Sequence, residues 1–511
     1  MTLWLLLALP ARADVPEDIG PWDLVRVDIP DYPGALSTSH RGSVLAEPPP
    51  PGTPWRVEEL PVVEQEGDGT GRYNLDEISD AMGVSAWHAA GWRGQGVKVA
   101  VFDVQWYGAE LNELELGAFQ THDCWAHQGC TLEMDTLRPR FTYESGSHGV
   151  GCAEVIRDLA PDVELHLVRV NGVTAFENAA RWAVREHVDV VSLSMSFFNN
   201  SFNDGTGPVA RIVEEMSAGG VLLVTSAGNY ADGHWLEWFN DPDGDGVHVF
   251  PDGGHTLPVY LRAGRKRGLA VSWDNFDRCG DTDLDLYLYD RDGLLIDRAT
   301  DVQDPEADRC SPVERLAPTL TEDQWTYLEV RRKSGDPSVR WNLITASGAV
   351  WQSMPEASVT DPGTHPLAFT VGAIRANGYL QNGPEAFSSQ GPNLAGDPMP
   401  DIGAPDGLSG DTYGNWGFYG TSAASPSATA AVALVMSRYP DLDAFEAAER
   451  LKAWAWHERS VWQPPDDGLG AGHLVLPDPE APGGCGGGPW RGAWIVIPFL
   501  CTRRRKPGGL R

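Results

Sequence analysis

The chain is 511 residues long and carries 38 Lys and Arg against 72 Asp and Glu, a formal net charge of −34. That length leaves room for two or three domains with full cores. So acidic a surface argues against nucleic acid as a partner, because phosphate contacts need clustered Lys and Arg. Seven cysteines are too few for a disulfide scaffold but allow isolated bridges in an oxidising compartment.

Residues 1–13 read as a signal peptide. The run 2–10 is short and apolar, and Ala11-Arg12-Ala13 supplies an A-x-A cleavage site before Asp14, although no Lys or Arg precedes the run. Residues 14–75 have few periodic apolar positions. They centre on Glu47-Pro48-Pro49-Pro50-Pro51-Gly52, which can join neither a helix nor a central strand, so they read as a linker or a pro-segment. From Leu75 the texture changes: Ile78, Met82, Val84, Trp87 and Trp92 have helical spacing up to Gly94-Gln95-Gly96. Residues 97–102 then form a short β-rich run of the kind buried in a parallel sheet, ending in Asp103. Open α/β sheets place their sites at that strand edge, though a strand-ending aspartate is often a plain turn former. Cys124 with Cys130, across a short loop, and Cys279 with Cys310 are candidate disulfides; an all-reduced set is the alternative.

His148 lies in Gly146-Ser147-His148-Gly149-Val150-Gly151, where small neighbours permit close backbone approach and leave space for a substrate. Cys152 follows on the same predicted helix, as a buried small hydrophobe or a sensitive thiol. Strands over 163–170, 188–196 and 221–226 alternate with helices over 176–186 and 211–218, which predicts a doubly wound parallel sheet. The last of these strands runs into Ala227-Gly228-Asn229. Far downstream, Gly420-Thr421-Ser422-Ala423-Ala424-Ser425-Pro426 leads into an alanine-rich apolar segment. This reads as a tight turn entering a buried helix, with Ser422 at the end where orphan N–H groups and the helix dipole can meet an oxyanion. Taken alone, the same stretch also reads as a serine capping an ordinary helix.

Together, Asp103, His148, Asn229 and Ser422 with Pro426, in that order, resemble the subtilisin-like serine proteases, for which the handedness of roles Asp, His, Ser along the chain is the known order. Phe387-Ser388-Ser389-Gln390-Gly391-Pro392 and Pro400-Asp401-Ile402-Gly403-Ala404-Pro405 resemble two further stretches of that family, and the likeness covers roughly 76–233 and 353–476. The resemblance implies Ser422 as nucleophile, His148 as general base and Asp103 as its orienting partner. It also implies an oxyanion site made by the Asn229 side chain and the Ser422 N–H, with Ser194-Met195-Ser196 and Ser226-Ala227-Gly228 lining the substrate cleft. Three local motifs depart from the family pattern: Asp103-Val104-Gln105, His148-Gly149-Val150-Gly151 and Ser422-Ala423-Ala424-Ser425-Pro426-Ser427-Ala428.

Residues 234–352 break the rhythm. Short runs at 257–261, 268–273, 284–289 and 325–330, separated by turns, suggest an antiparallel sandwich. Residues 283–290 resemble the core of the bacterial pre-peptidase C-terminal domain, inserted here rather than appended. Asp241, Asp243 and Asp245, with Gly246, have the spacing of a calcium loop, but an acidic hairpin would read the same way. The tail, 477–511, holds Cys485 among glycines, an apolar run 490–501 and Arg503-Arg504-Arg505-Lys506. The apolar run is shorter than the ~20 residues that span a bilayer. The order resembles the tripartite sorting tails of exported bacterial proteins, and the alternative is a frayed terminus.

The expectation is therefore an α/β fold, a doubly wound subtilisin-like parallel sheet with an inserted antiparallel β-sandwich over 234–352. The expected function is an exported, secreted or surface-held serine endopeptidase acting on proteins or peptides. No cofactor is needed for the chemistry, a structural calcium ion is the metal candidate, and the tail is the candidate membrane or surface attachment. The competing expectation is a catalytically silent surface binding protein of the same fold.

Overall fold

The apolar run Lys98–Asp103 is an interior strand of a seven-stranded sheet. Across that sheet the order is Ile402–Asp406, Phe369–Arg375, Leu222–Ser226, Val190–Leu193, Lys98–Asp103, Glu164–Arg169 and Phe119–Asp123, and every neighbouring pair is parallel. The structure is a computed structural model. It describes residues 75–480, except 126–129, 131–132, 140–143, 199, 264–267, 277–280, 304–310, 347 and 458–465, and, ahead of these, 25–28, 35, 37–39, 41, 43–45 and 55–57. The signal-peptide reading, the proline run, the Cys279–Cys310 pair and the tail from 481 onward lie outside the described residues.

Side chains of Lys98–Asp103 alternate between two cores. Val99 and Val101 join the cluster that includes helices His148–Leu159 and Thr421–Arg438, whereas Ala100 and Phe102 join the one that includes Val173–Arg185 and Gly207–Ala218. A parallel sheet is stable when both faces are covered in this way. From its first strand the chain builds one edge, then recrosses to build the other, so the strand order reverses beside Lys98–Asp103. Asp103 and Ser194 both stand at strand C-termini next to that reversal, where doubly wound sheets bind ligands.

Residues 75–92 form two helices, Leu75–Ala81 and Val84–Ala89, parted at Gly83. Gly83 has φ of 84°, and a Cβ there would stand 2.3 Å from the Leu476 carbonyl oxygen, so only glycine fits the break. Within 14–75, expected as a linker or pro-segment, four short strands are described. Val25–Val27, Ser37–Thr38, Ser43–Leu45 and Trp55–Val57 pair into a four-stranded antiparallel sheet. Its Arg26 reaches Glu177 on helix Val173–Arg185 at 3.3 Å, and Arg41 reaches Glu215 on helix Gly207–Ala218 at 2.7 Å. Strands of two or three residues are too short to show a period.

The region 234–352 holds two further antiparallel sheets. One, of four strands, runs His234–Trp238, Arg340–Thr345, Leu269–Trp273, Val313–Leu316. The other, of five, runs Leu295–Ala299, Thr282–Tyr289, Gln324–Gly335, Leu257–Leu261, Gly348–Val350. Both contribute to one apolar cluster, with Trp273 and Trp341 from the first and Val259, Leu286 and Leu328 from the second. Ile344 and Ala346 tie this region to Phe198 and Tyr230 of the parallel part. A disulfide joins Cys124 to Cys130 just past the edge strand, and Cys152 is free and buried. Among the described residues no helix is long and apolar enough to cross a membrane.

Candidate active site

Asp103 is fully buried at the end of its strand, and His148 opens the helix that packs over it. The approach is set by small residues: a Cβ on Gly149 would stand 2.6 Å from the Asp103 Cβ and 3.0 Å from the Trp106 ring. The Gly149 N–H donates to the Gln105 carbonyl at 2.9 Å, pinning the helix start to the strand end. Asp103 Oδ1 accepts the Gln105 N–H at 2.8 Å, and its Oδ2 accepts His148 Nδ1–H at 2.7 Å. The Phe418 ring meets the imidazole edge-on at 5.5 Å, and His148 Nε2 is buried without a hydrogen-bond partner. Burial pulls the imidazolium down, but the Asp103 charge and hydrogen bond outweigh it, and the His148 pKa is raised. Cys152 Sγ lies 4.0 Å from His148 Nδ1. Burial pushes that thiol up, so the sulfur beside the imidazole is a neutral thiol.

Ser422 is the second residue of helix Thr421–Arg438 and is almost wholly buried. Pro426 sits four residues on and has no N–H to give the Ser422 carbonyl. That freed carbonyl accepts Ser194 Oγ–H at 3.2 Å and Cys152 Sγ–H at 3.6 Å, which draws three elements together at the helix start. The Ser422 hydroxyl itself donates to the Ser194 carbonyl at 3.4 Å and makes no hydrogen bond to His148.

Asn229 Oδ1 accepts both the Thr421 N–H at 2.9 Å and the Thr421 hydroxyl at 2.8 Å. These two donors fix which end of the amide is oxygen, so Nδ2 faces the helix start as a donor. Gly420, at φ of 104°, makes room: a Cβ there would lie 2.8 Å from Asn229 Nδ2. The Thr421 N–H is taken by Asn229 and the Ala423 N–H by the Gly420 carbonyl, which leaves the Ser422 N–H between them as an open donor.

Ser194, Ser196, Ser226, Ala227 and Gly228 flank this centre and are buried, as is Met195. The Met195 side chain belongs to the apolar core, so only its backbone can line a cleft. Thr360, which sequence reasoning did not single out, bridges the two segments: its hydroxyl donates to Ser196 Oγ at 2.8 Å and its N–H to the Ala227 carbonyl at 3.3 Å. Asp406 was also missed, although it ends a buried strand as Asp103 does; its Oδ2 accepts the Gly420 N–H at 3.0 Å.

Asp241, Asp243 and Asp245 each bring a carboxylate oxygen within 4.8 Å of the others, on the loop after strand His234–Trp238. Asp241 accepts the N–H groups of Gly244 and Gly246 and pairs with Arg332 at 3.3 Å, whereas Asp243 and Asp245 are exposed. The oxygen donors suit a hard cation, and Arg332 already supplies part of the charge it would bring.

Residues 94–272 and 322–472 match the model of the subtilase family. Among solved structures the fold is similar to that of the CspB protease of Clostridium perfringens, at 15% identity and a TM-score of 0.53, covering 78% of this chain and 95% of that one. MycP1 from Mycobacterium smegmatis is similar at 17% identity and a TM-score of 0.41, covering 86% of this chain and 93% of that one. No curated protein matches the sequence.

Proposed function

The chain belongs to the subtilase family of serine peptidases, and on that premise we propose which residues carry its reaction. Ser422 Oγ leaves the weak contact with the Ser194 carbonyl and attacks the scissile carbonyl carbon. His148 Nε2 takes the hydroxyl proton, and the Asp103 carboxylate orients the ring and stabilises the imidazolium. Asn229 Nδ2 and the Ser422 N–H donate to the oxyanion of the tetrahedral intermediate. His148 then returns the proton to the leaving amine, and water hydrolyses the acyl-enzyme by the same route in reverse. The observation that carries this reading is the His148 ring. One nitrogen is held at 2.7 Å by Asp103, the other is buried and unpartnered, and Cys152, 4.0 Å from the ring, also donates to the Ser422 carbonyl.

Hydrolysis of a fluorogenic casein by the purified protein tests it. Ser422→Ala abolishes turnover, and Asn229→Ala lowers kcat by about 10²–10³ with little change in KM. Equal rates in parent and Ser422→Ala would refute the assignment.

The substrates on this reading are proteins or peptides, cleaved internally. The Cys124–Cys130 disulfide and the A-x-A leader support an exported enzyme, since such bridges persist in oxidising compartments. The two antiparallel sheets are read as an inserted β-sandwich akin to the pre-peptidase C-terminal domain. A calcium ion held by Asp241, Asp243 and Asp245 would be structural and take no part in the chemistry. Excess EGTA then lowers the melting temperature of the parent but not of Asp243→Asn/Asp245→Asn; an unchanged parent would mark the loop as an acidic hairpin.

A further inference from the structure

The outer face of the five-stranded sheet carries groups that peptide hydrolysis does not use. Along Leu257–Leu261, Thr282–Tyr289 and Gln324–Gly335, inward residues such as Val259, Leu286 and Leu328 are buried, and alternate residues face outward. The register sets Tyr260 opposite Trp325 and Tyr289 opposite Tyr327. Trp351 follows strand Gly348–Val350, its ring 5.9 Å from that of Trp325, and the Tyr260 ring lies 5.4 Å from Trp325. Trp325 is 39% and Trp351 57% exposed. A contiguous aromatic patch left in water marks a contact surface, since each ring offers a large apolar area that folding has not buried.

The polar groups on this face select the partner. Tyr260 donates its hydroxyl to Asp323 at 3.3 Å, Tyr287 to Asp285 at 3.4 Å and Tyr289 to Glu329 at 3.4 Å. Those three phenol protons are therefore engaged, Glu329 also pairs with Arg331 at 2.5 Å and Asp285 is buried, so the face presents aromatic rings, the indole N–H groups of Trp325 and Trp351, and the carboxylates of Asp323 and Glu329. Arg331 lies over the Tyr287 ring at 4.5 Å. An apolar protein surface would strip water from Asp323 and from the Arg331–Glu329 pair without replacing it. An anionic ligand would approach a chain of net charge −34. A neutral oligosaccharide meets every condition: the C–H face of each sugar ring lies on an aromatic ring, and its hydroxyls donate to the carboxylates.

We propose that the aromatic face around Tyr260, Trp325 and Trp351 binds a neutral polysaccharide, holding the peptidase against glycan-bearing material. The test uses full-length Ser422→Ala protein, which cannot digest itself. It is applied to an array of immobilised neutral oligosaccharides that also carries sulfated oligosaccharides and an oligoproline. Binding to at least one neutral glycan is expected, weakened at least about tenfold by Trp325→Ala/Trp351→Ala, at an unchanged melting temperature. Trp238→Ala, which removes an exposed tryptophan from the four-stranded sheet, leaves binding intact. The proposal is overturned if no neutral glycan is retained or if the sulfated sugars or oligoproline bind in their place. It is equally overturned if Trp238→Ala weakens binding as much as the double variant.

Discussion

The buried carboxylate of Asp406 accepts the N–H of Gly420 at 3.0 Å, two residues ahead of Ser422, while its other oxygen has no partner. Burial raises its pKa from 3.8 to about 7, against the pull of the Gly420 hydrogen bond. The folded chain therefore holds this proton more tightly than the unfolded chain, and stability falls as pH rises from about 4 to 7. Asp406→Asn keeps an acceptor for Gly420 and removes the titration. The melting temperature of the variant minus that of the parent should rise by a few degrees across that interval and level off above it. A difference that is flat with pH would show that Asp406 is not the titrating group.

The Asp103–His148 pair acts in the same direction, over a higher pH window. His148 has a pKa raised above its ordinary 6.5, so the pair stabilises the fold fully below that pH, and the contribution is lost as pH rises through the raised value. His148 must be neutral to act as a base, so the acid limb of kcat/KM should lie above pH 6.5. Asp103→Asn should move that limb to lower pH and reduce kcat by about 10⁴. It should also be less stable than the parent mainly at low pH. An acid limb that stays in place in Asp103→Asn would remove Asp103 from the role assigned to it.

Arg26 and Glu177 dock the N-terminal sheet, and their side chains are only 4% and 2% exposed. Glu177 also pairs with Arg41 at 3.3 Å, so removing Arg26 costs less than the about 3–5 kcal/mol of a buried charge left with no partner. Arg26→Ala should therefore loosen residues 25–57 and speed limited proteolysis there, whereas Arg26→Met/Glu177→Leu should recover most of the protection. Equal protease sensitivity in parent and Arg26→Ala would mean the sheet is held by its apolar contacts, around Val25, Val27 and Leu45.

Much of this candidate site is legible in the sequence because the chemistry sits at element ends. Asp103 closes an uninterrupted apolar strand, and glycines announce the starts of the helices at His148 and Thr421. Strand Leu257–Leu261 is legible as a short apolar run among turns, and in the fold its residues alternate between buried and half-buried. Gly403 and Pro405 obscure the strand Ile402–Asp406 in the sequence. It forms the outermost strand of the parallel sheet, where a missing N–H is tolerated. Phe119–Asp123 was hidden by its polar composition, which the opposite edge position permits. Thr360 and Asp406 act through partners 164 and 14 residues away, Ser196 and Gly420, and no local pattern encodes such a bond.

The central claim is that Ser422 is an activated nucleophile facing a formed oxyanion site. Labelling the folded, full-length protein with a fluorophosphonate, followed by mass spectrometry of its peptides, tests this most directly. The account predicts one phosphonyl adduct, on Ser422, that is absent from Ser422→Ala and forms more slowly in Asn229→Ala. A folded parent that takes up no adduct, or takes it up on another residue, would contradict it.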